Sequence, residues 1–211
     1  IFAKDGDGVS LFLIEDAKNT PGFSAGKPED FMGVKGNVVS DIFLDNVEVP
    51  AENVVGPRGK AMRILMSVIA AGKLYLCAEA MGIMQAAIEE SVKYAKDKIV
   101  RGRPLSDMQF IYGMIAEMQT KLEASRWLTY SVAYLKDQGK DILKESAIAK
   151  LFVSDAVVDV TRKAVQIHGS YGYSREYKVE RLYRDARGLT IAEGMSDIQR
   201  LIIGRSAVFG E

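Results

Sequence analysis

The feature that most restricts this chain is a helical apolar stripe that runs, with short breaks, from about residue 61 almost to the end. Ile64, Leu65, Val68 and Ile69 open it, and Met81, Met84, Ile88 and Val92 carry it on, the recurrence of one face of a helix. Gly102 and Pro104 in IVRGRPLSD interrupt the pattern. Ser106-Asp107 then offers a cap for a second helix, whose stripe is Ile111, Met114, Ile115, Met118 and Leu122 and which ends near Gln138-Gly139. A third stripe through Ile148, Leu151, Phe152, Val158 and Val165 stops at HGSYGY. EYKVERLYRDARG reads as a short helix of alternating charge, and a last helix begins near Ser196. Long helices joined by short breaks predict an antiparallel four-helix bundle. Most of the nine methionines lie on these stripes as core filler.

The segment before about residue 57 has a different texture, rich in Gly, Pro, Asp and Asn. VSLFLIE reads as a strand, AKNTPGF as a turn, and VVSDIFLDNVEVP as a second extended segment with a turn or bulge at Asp45-Asn46. The expected fold class is therefore α+β and mainly α. A partial β-barrel or sheet domain over residues 1–57 precedes a four-helix bundle over 58–211. Opening on Ile1 within a sheet-like pattern, the chain reads as a fragment of a longer protein.

Composition closes several function classes. Lys+Arg and Asp+Glu balance at 28 each, which disfavours nucleic acid and anionic membranes as partners. No uninterrupted apolar run reaches the length of a bilayer span, and no secretory signal or transit peptide is visible. The single cysteine, Cys77, cannot form an internal disulfide, fits a reducing compartment, and reads as a buried thiol rather than a nucleophile. One histidine, His168, and one cysteine cannot build a usual zinc site. His168 sits on no recognisable nucleophile elbow, and no P-loop or strand-borne GxGxxG is present. So few native nucleophiles imply a cofactor, if there is chemistry at all.

One acidic residue stands out. In TIAEGMSDIQRLIIGR, Glu193 lies beside Gly194, just ahead of a helix whose Ser196 and Gln199 have capping-box spacing. From these residues alone, a solvated glutamate favoured by the helix dipole is the better reading.

The segment AVQIHGSYGYSREYKVERLYRDARGLTIAEGMSDIQRLIIGR closely resembles the C-terminal signature of the acyl-CoA dehydrogenase family, approximately AVQIHGGYGY-x-x-EYPVER-x-YRDA followed by IYEGTS-x-IQR. NTPGFSAGKPEDFMGVKGN and IFLDNVEVPAENVVG are similar to the second half of that family's middle β-domain, so the resemblance covers almost the whole chain. It implies an FAD-dependent oxidoreductase that converts an acyl-CoA to a trans-2-enoyl-CoA. A carboxylate takes the α-proton and the β-hydride goes to flavin N5. The family's base stands in YEGT, which makes Glu193 the base here. Some members place the base on the first bundle helix instead, and the matching position is Gly72, so the short-chain, butyryl-like placement is favoured.

The resemblance also implies the other site residues. Ala70, Ala71, Gly72, Lys73 and Gly194 match acyl-CoA-lining positions. Lys73 replaces a common arginine, and Arg205 matches an arginine on CoA, with a surface salt bridge as its bland alternative. Gln166, Ile167, His168, Gly169 and Ser170 match a segment that approaches the flavin of a neighbouring subunit, and Gln109 matches another contact across that interface. Met195, Ser196 and Asp197 follow the base along the cofactor. Lys98 and Arg101 stand where the family has R-x-x-FG, so Lys98 keeps the charge without the bidentate fork. AEGM in place of YEGT removes an aromatic and a hydroxyl. Expected partners are an acyl-CoA, an electron-transfer flavoprotein and further copies of the chain, as a homotetrameric dimer of dimers. The expected compartment is a bacterial or archaeal cytoplasm, or the mitochondrial matrix in a eukaryote. Two alternatives stand beside this reading: a non-catalytic bundle scaffold, and an enoyl-CoA reductase of the same family.

Overall fold

The computed structural model describes residues 1–210. It is mainly helical, with five α-helices and three small sheets, and it divides into two compact units.

The first unit comprises residues 1–31 and 35–69. Its strands are β1 (Phe2–Asp5), β2 (Gly8–Phe12), β3 (Phe23–Ala25), β4 (Ile42–Leu44) and β5 (Val54–Val55). They form an antiparallel sheet in the order β1-β2-β5 and a separate β3-β4 pair. The β1–β2 register pairs Phe2 with Leu11 and Asp5 with Gly8, and Leu11 in turn pairs with Val55. VSLFLIE thus forms a strand that starts earlier and ends sooner than its composition predicts, and Asp45-Asn46 does turn the chain, Asn46 taking a left-handed φ of 51°. Arg58 grips Asp5 through two 2.8 Å hydrogen bonds. The buried Ser10 hydroxyl donates to the same carboxylate and accepts from the Gly59 amide. That cluster clips β1 and β2 to the loop ahead of the first helix.

The helices are α1 (Ala61–Asp97), α2 (Gln109–Asp137), α3 (Leu143–His168), α4 (Lys178–Gly188) and α5 (Ser196–Phe209). The second unit takes residues 32–34 and everything from Ala70 onward. Within it α3 is central and packs against α2, α4 and α5. Its buried face runs from Ala149 through Val153, Val157 and Val160 to Ile167, and meets Leu76, Cys77, Ala80, Met84, Ile88 of α1 and Met118, Leu122, Val132 of α2 in one core. Met84, Ile88, Met118 and Leu122 are stripe positions, and burial of one face explains why their segments are helical. On α3 the buried face is not the expected stripe: Ile148, Leu151, Val158 and Val165 are half-buried and Phe152 is exposed, because smaller residues take the close helix contacts. Asp159 of α3 ties the layers by accepting from Lys121 of α2 at 2.5 Å, from Arg162 at 2.7 Å, and from Lys163.

Three expectations change. First, α1 contains an 18-residue window of mean hydropathy 1.6, long and apolar enough to cross a bilayer by length and composition, although no uninterrupted apolar run marks it. Its buried positions belong to the core just described. Second, Ser106-Asp107 does not cap α2. Leu105–Asp107 forms a 3-10 turn and Met108 occupies the N-cap without a side-chain bond. Third, the break after α1 is a hairpin of β6 (Ile99–Val100) and β7 (Arg103–Pro104). Arg101 and Gly102 turn it with φ of 52° and 78°, the paired left-handed conformation of a two-residue hairpin.

Candidate active site

The turn between α4 and α5 sets the site. The amides of Ile191 and Ala192 bond back to the Gly188 carbonyl at 3.0 Å, and the Ser196 amide closes the loop onto Thr190 O at 3.1 Å. Between these anchors Glu193 and Gly194 both adopt left-handed backbone, with φ of 53° and 86°. Glycine does this freely, but for a glutamate it costs about 1 kcal/mol or more and persists only where the surroundings enforce it. The enforcement comes from Gln199, fully buried, whose amide nitrogen donates to Gly194 O at 2.8 Å and to Glu193 O at 3.3 Å. Ser196 and Gln199 are therefore not a capping box. Ser196 is the first residue of α5, its hydroxyl donates to Thr190 O, and Met195 is the N-cap. Both side chains brace the Glu193 turn instead.

The side chain of Glu193 lies against α1 at Gly72. A Cβ built on Gly72 would fall 2.6 Å from Glu193 Oε2 and 2.8 Å from its carboxyl carbon. Only a residue without a side chain lets the carboxylate rest there. The next residue, Lys73, is 1% exposed, and its ammonium makes no hydrogen bond. Burial depresses the Lys73 pKa, while the nearby charge of Glu193 opposes the depression. Lys150 of α3, also fully buried, donates to Thr190 O at 3.1 Å, three residues before the carboxylate. Its pKa too is pulled down, first by burial and in part by Lys73, and held up by Asp155, Cys77 and Glu193. Cys77 is buried in the same core, and burial pushes its thiol up to about 12.

Around the turn, α3, α4 and α5 enclose a hollow of about 710 Å³ lined by Thr190, Ile191, Met195, Ser196 and Asp197 together with Arg162, Arg187 and Arg200. Exposed Ile191 and Met195 give it an apolar ledge, and its rim mixes the three guanidiniums with Asp155, Asp159 and Asp197, Arg162 pairing with Asp159 at 2.7 Å. Asp197 pairs with Arg200 at 2.9 Å.

The structure brings Glu193, Gly194, Gly72 and Lys73 together, with Ala70 buried and Ala71 half-buried on the same stretch of α1. Met195, Ser196 and Asp197 adjoin them on the hollow. The QIHGS segment ends α3. Gln166, Gly169 and Ser170 are exposed, and Ile167 and His168 are buried. The His168 ring stacks on Tyr94 at 4.2 Å, with Nδ1 at 2.8 Å from Ala164 O, so it is a packing residue. Tyr177 stands edge-on to both rings and tilts against Tyr171, over which Lys98 lies at 5.1 Å. Lys98 therefore lies over Tyr171, which follows the QIHGS segment, whereas Arg101 is exposed on the hairpin tip, Gln109 is exposed at the first residue of α2, and Arg205 is exposed on α5. Sequence reasoning passed over Lys150, whose signal was a lone charge inside the apolar run AIAKLFV. It also passed over Arg162, Arg187 and Arg200, which no spacing rule joins.

Residues 59–208 match the family profile described as acyl-CoA dehydrogenase, C-terminal domain. An acyl-CoA dehydrogenase of Bacillus subtilis is 43% identical over 203 residues, covering 96% of this chain and 53% of that protein. The caffeyl-CoA reductase-Etf complex subunit CarC of Acetobacterium woodii is 42% identical over 196 residues, covering 93% and 51%. The structure of butyryl-CoA dehydrogenase from Megasphaera elsdenii superposes with a TM-score of 0.93 at 38% identity, covering 98% of this chain and 54% of that one. The chain belongs to the acyl-CoA dehydrogenase family, a family of FAD flavoprotein oxidoreductases. It spans about half the length of the curated relatives it matches.

Proposed function

We propose that the full-length protein carrying this chain oxidises the α–β bond of an acyl-CoA thioester to a trans-2-enoyl-CoA. The observation that carries the reading is the Glu193 carboxylate, projected from a braced left-handed turn onto Gly72 of α1, where no side chain stands in its way. A general base must reach a single carbon with little play, and a strained turn held at both ends supplies that restriction. Glu193 takes the α-proton onto a carboxylate oxygen. Ala70, Ala71 and Gly72 keep the opposite wall low enough for an acyl chain, and Gly194 and Arg205 complete the acyl-CoA side.

The residues present fit a flavin dinucleotide. The hollow beside Glu193 offers an apolar ledge for a ring, and Arg187, bonded to the Thr190 hydroxyl rather than to a carboxylate, for a phosphate. Arg162 and Arg200 are paired with aspartates of the rim. Met195, Ser196 and Asp197 would hold the cofactor there, and Gln166, Gly169 and Ser170, with Lys98, Arg101 and Gln109, would serve the copy contributed by a neighbouring subunit. FAD, when bound, supplies the two-electron acceptor for the β-hydride. Residues 1–57 would be the second half of a β-domain and 58–211 a four-helix bundle that also builds a dimer of dimers. An electron-transfer flavoprotein is the proposed partner, supported by the Etf complex to which CarC belongs.

The same relative favours a second reading, net reduction of an enoyl-CoA. Retention of Glu193 argues against a non-catalytic scaffold. Anaerobic titration of the FAD-loaded full-length protein with saturated acyl-CoAs separates the three. Loss of oxidised-flavin absorbance with enoyl-CoA formed is the expected result. Reoxidation of the reduced protein by enoyl-CoAs, with no response to any saturated thioester, would move the assignment to a reductase. Failure to retain FAD would leave the scaffold.

A further inference from the structure

We infer that Lys73 is a positioning residue, the buried counter-charge that holds the Glu193 carboxylate against Gly72, and that as a lysine it makes this hold titratable. The inference rests on the reading of Glu193 as the base.

Three observations carry it. The Lys73 ammonium is buried and lacks any hydrogen-bond acceptor, a state expensive enough that a nearby anion must offset it. The anion at hand is Glu193: it makes no direct ion pair with Lys73, but its carboxylate packs on the neighbouring residue of the same helix and its charge reaches the ammonium. The backbone before Glu193 is independently fixed by Lys150 through Thr190 O, so the lysine without a backbone acceptor is the one left to act on the side chain. Sequence reading placed Lys73 on CoA. Its burial withdraws the ammonium from solvent, within reach of the Glu193 charge.

The surrounding charges leave this role to Lys73. On α1 the other titratable neighbour is Cys77, a neutral thiol. On α3, Lys150 also feels the charge of Glu193, but its ammonium is engaged by Thr190 O and is shared with Asp155 and Cys77. From α4, Arg187 reaches the Thr190 hydroxyl, and from α5 the neutral Gln199 holds the carbonyls of Glu193 and Gly194. Burial lowers the Lys73 pKa from its ordinary value against the opposing charge of Glu193. As pH rises through that lowered value the counter-charge disappears, and the exposed carboxylate is released from its place on Gly72. An arginine at the same position would stay charged throughout.

The test has two arms on the full-length protein. In the first, the Lys73 ammonium is titrated by the carbon chemical shift of its Cε in wild type and in Glu193→Gln. Loss of the carboxylate charge is expected to move Lys73 to still lower pH, and an unmoved titration would overturn the inference whether or not the enzyme turns over. In the second, pH–rate profiles are compared for wild type, Lys73→Arg and Lys73→Met. Wild type is expected to lose kcat on the alkaline side, and Lys73→Arg to remove that fall. Lys73→Met should lose about 10²-fold in kcat, with a smaller change in KM, because a misplaced base costs about that much. An alkaline fall that is absent from wild type, or unchanged in Lys73→Arg, would contradict it. If no acyl-CoA reacts at all, the functional reading fails and the first arm still decides whether Lys73 holds Glu193.

Discussion

Gly72 is where the strictest local demand of the site meets the loosest. A methyl group there would meet only the far end of the Glu193 side chain, so the fold can yield, but the carboxylate must leave its seat. Gly72→Ala should therefore keep or raise stability, since alanine is favoured over glycine in a helix by about 1 kcal/mol. It should also cost about 10²-fold in kcat. Thermal melts and steady-state rates on the same preparation check the pair. Cys77 gives a second residue-scale expectation. Buried, with a thiol held up at about 12, it should resist thiol reagents in the folded chain at neutral pH and react fully once denatured. The sequence announced Glu193 only through its family context. By local pattern it was a solvated turn residue, because the contact that restrains it is with Gly72, far away in the chain. The misread capping box has the same origin: Ser196 and Gln199 carry the right spacing, but tertiary closure of the turn claims both side chains for Thr190 and for the carbonyls of Glu193 and Gly194.

Helices were the most legible elements, because the apolar runs from Ile64 to Val165 are long, but the core face of α3 was misplaced. Ala149, Val153, Val157 and Val160 are buried where Ile148, Leu151 and Phe152 were expected, since small and β-branched side chains allow the close packing of a central helix. The hairpin at Ile99–Pro104 was read only as a break, since each of its strands has two residues and carries no periodicity. The charge on Asp159 was invisible too, and it joins α2 to α3. Burial alone would raise its pKa, but hydrogen bonds from Lys121, Lys163 and Arg162 outweigh burial and hold the carboxyl below the usual range. The stabilisation is then complete above the unfolded value of about pH 4. It is lost as pH falls through the depressed folded value. Asp159→Asn should destabilise the helical unit by about 1.5–3 kcal/mol at neutral pH. The gap from wild type should close as the solution is acidified, as denaturant melts at several pH values would show.

At the scale of the whole molecule, β4 leaves Ile42, Phe43 and Leu44 all exposed on a two-stranded sheet. Such a sheet is too small to stand alone, and the chain spans about half of its relatives. The isolated 211-residue chain is accordingly expected to bind FAD weakly and to show no turnover, which equilibrium dialysis and a dye-reduction assay would check. The central claim concerns the whole protein and one carboxylate. Full-length wild type and Glu193→Gln, both loaded with FAD under anaerobic conditions, should be mixed with the acyl-CoA that wild type prefers. Both are expected to bind the thioester, and only wild type to lose oxidised-flavin absorbance. Bleaching of Glu193→Gln at the wild-type rate would contradict the claim.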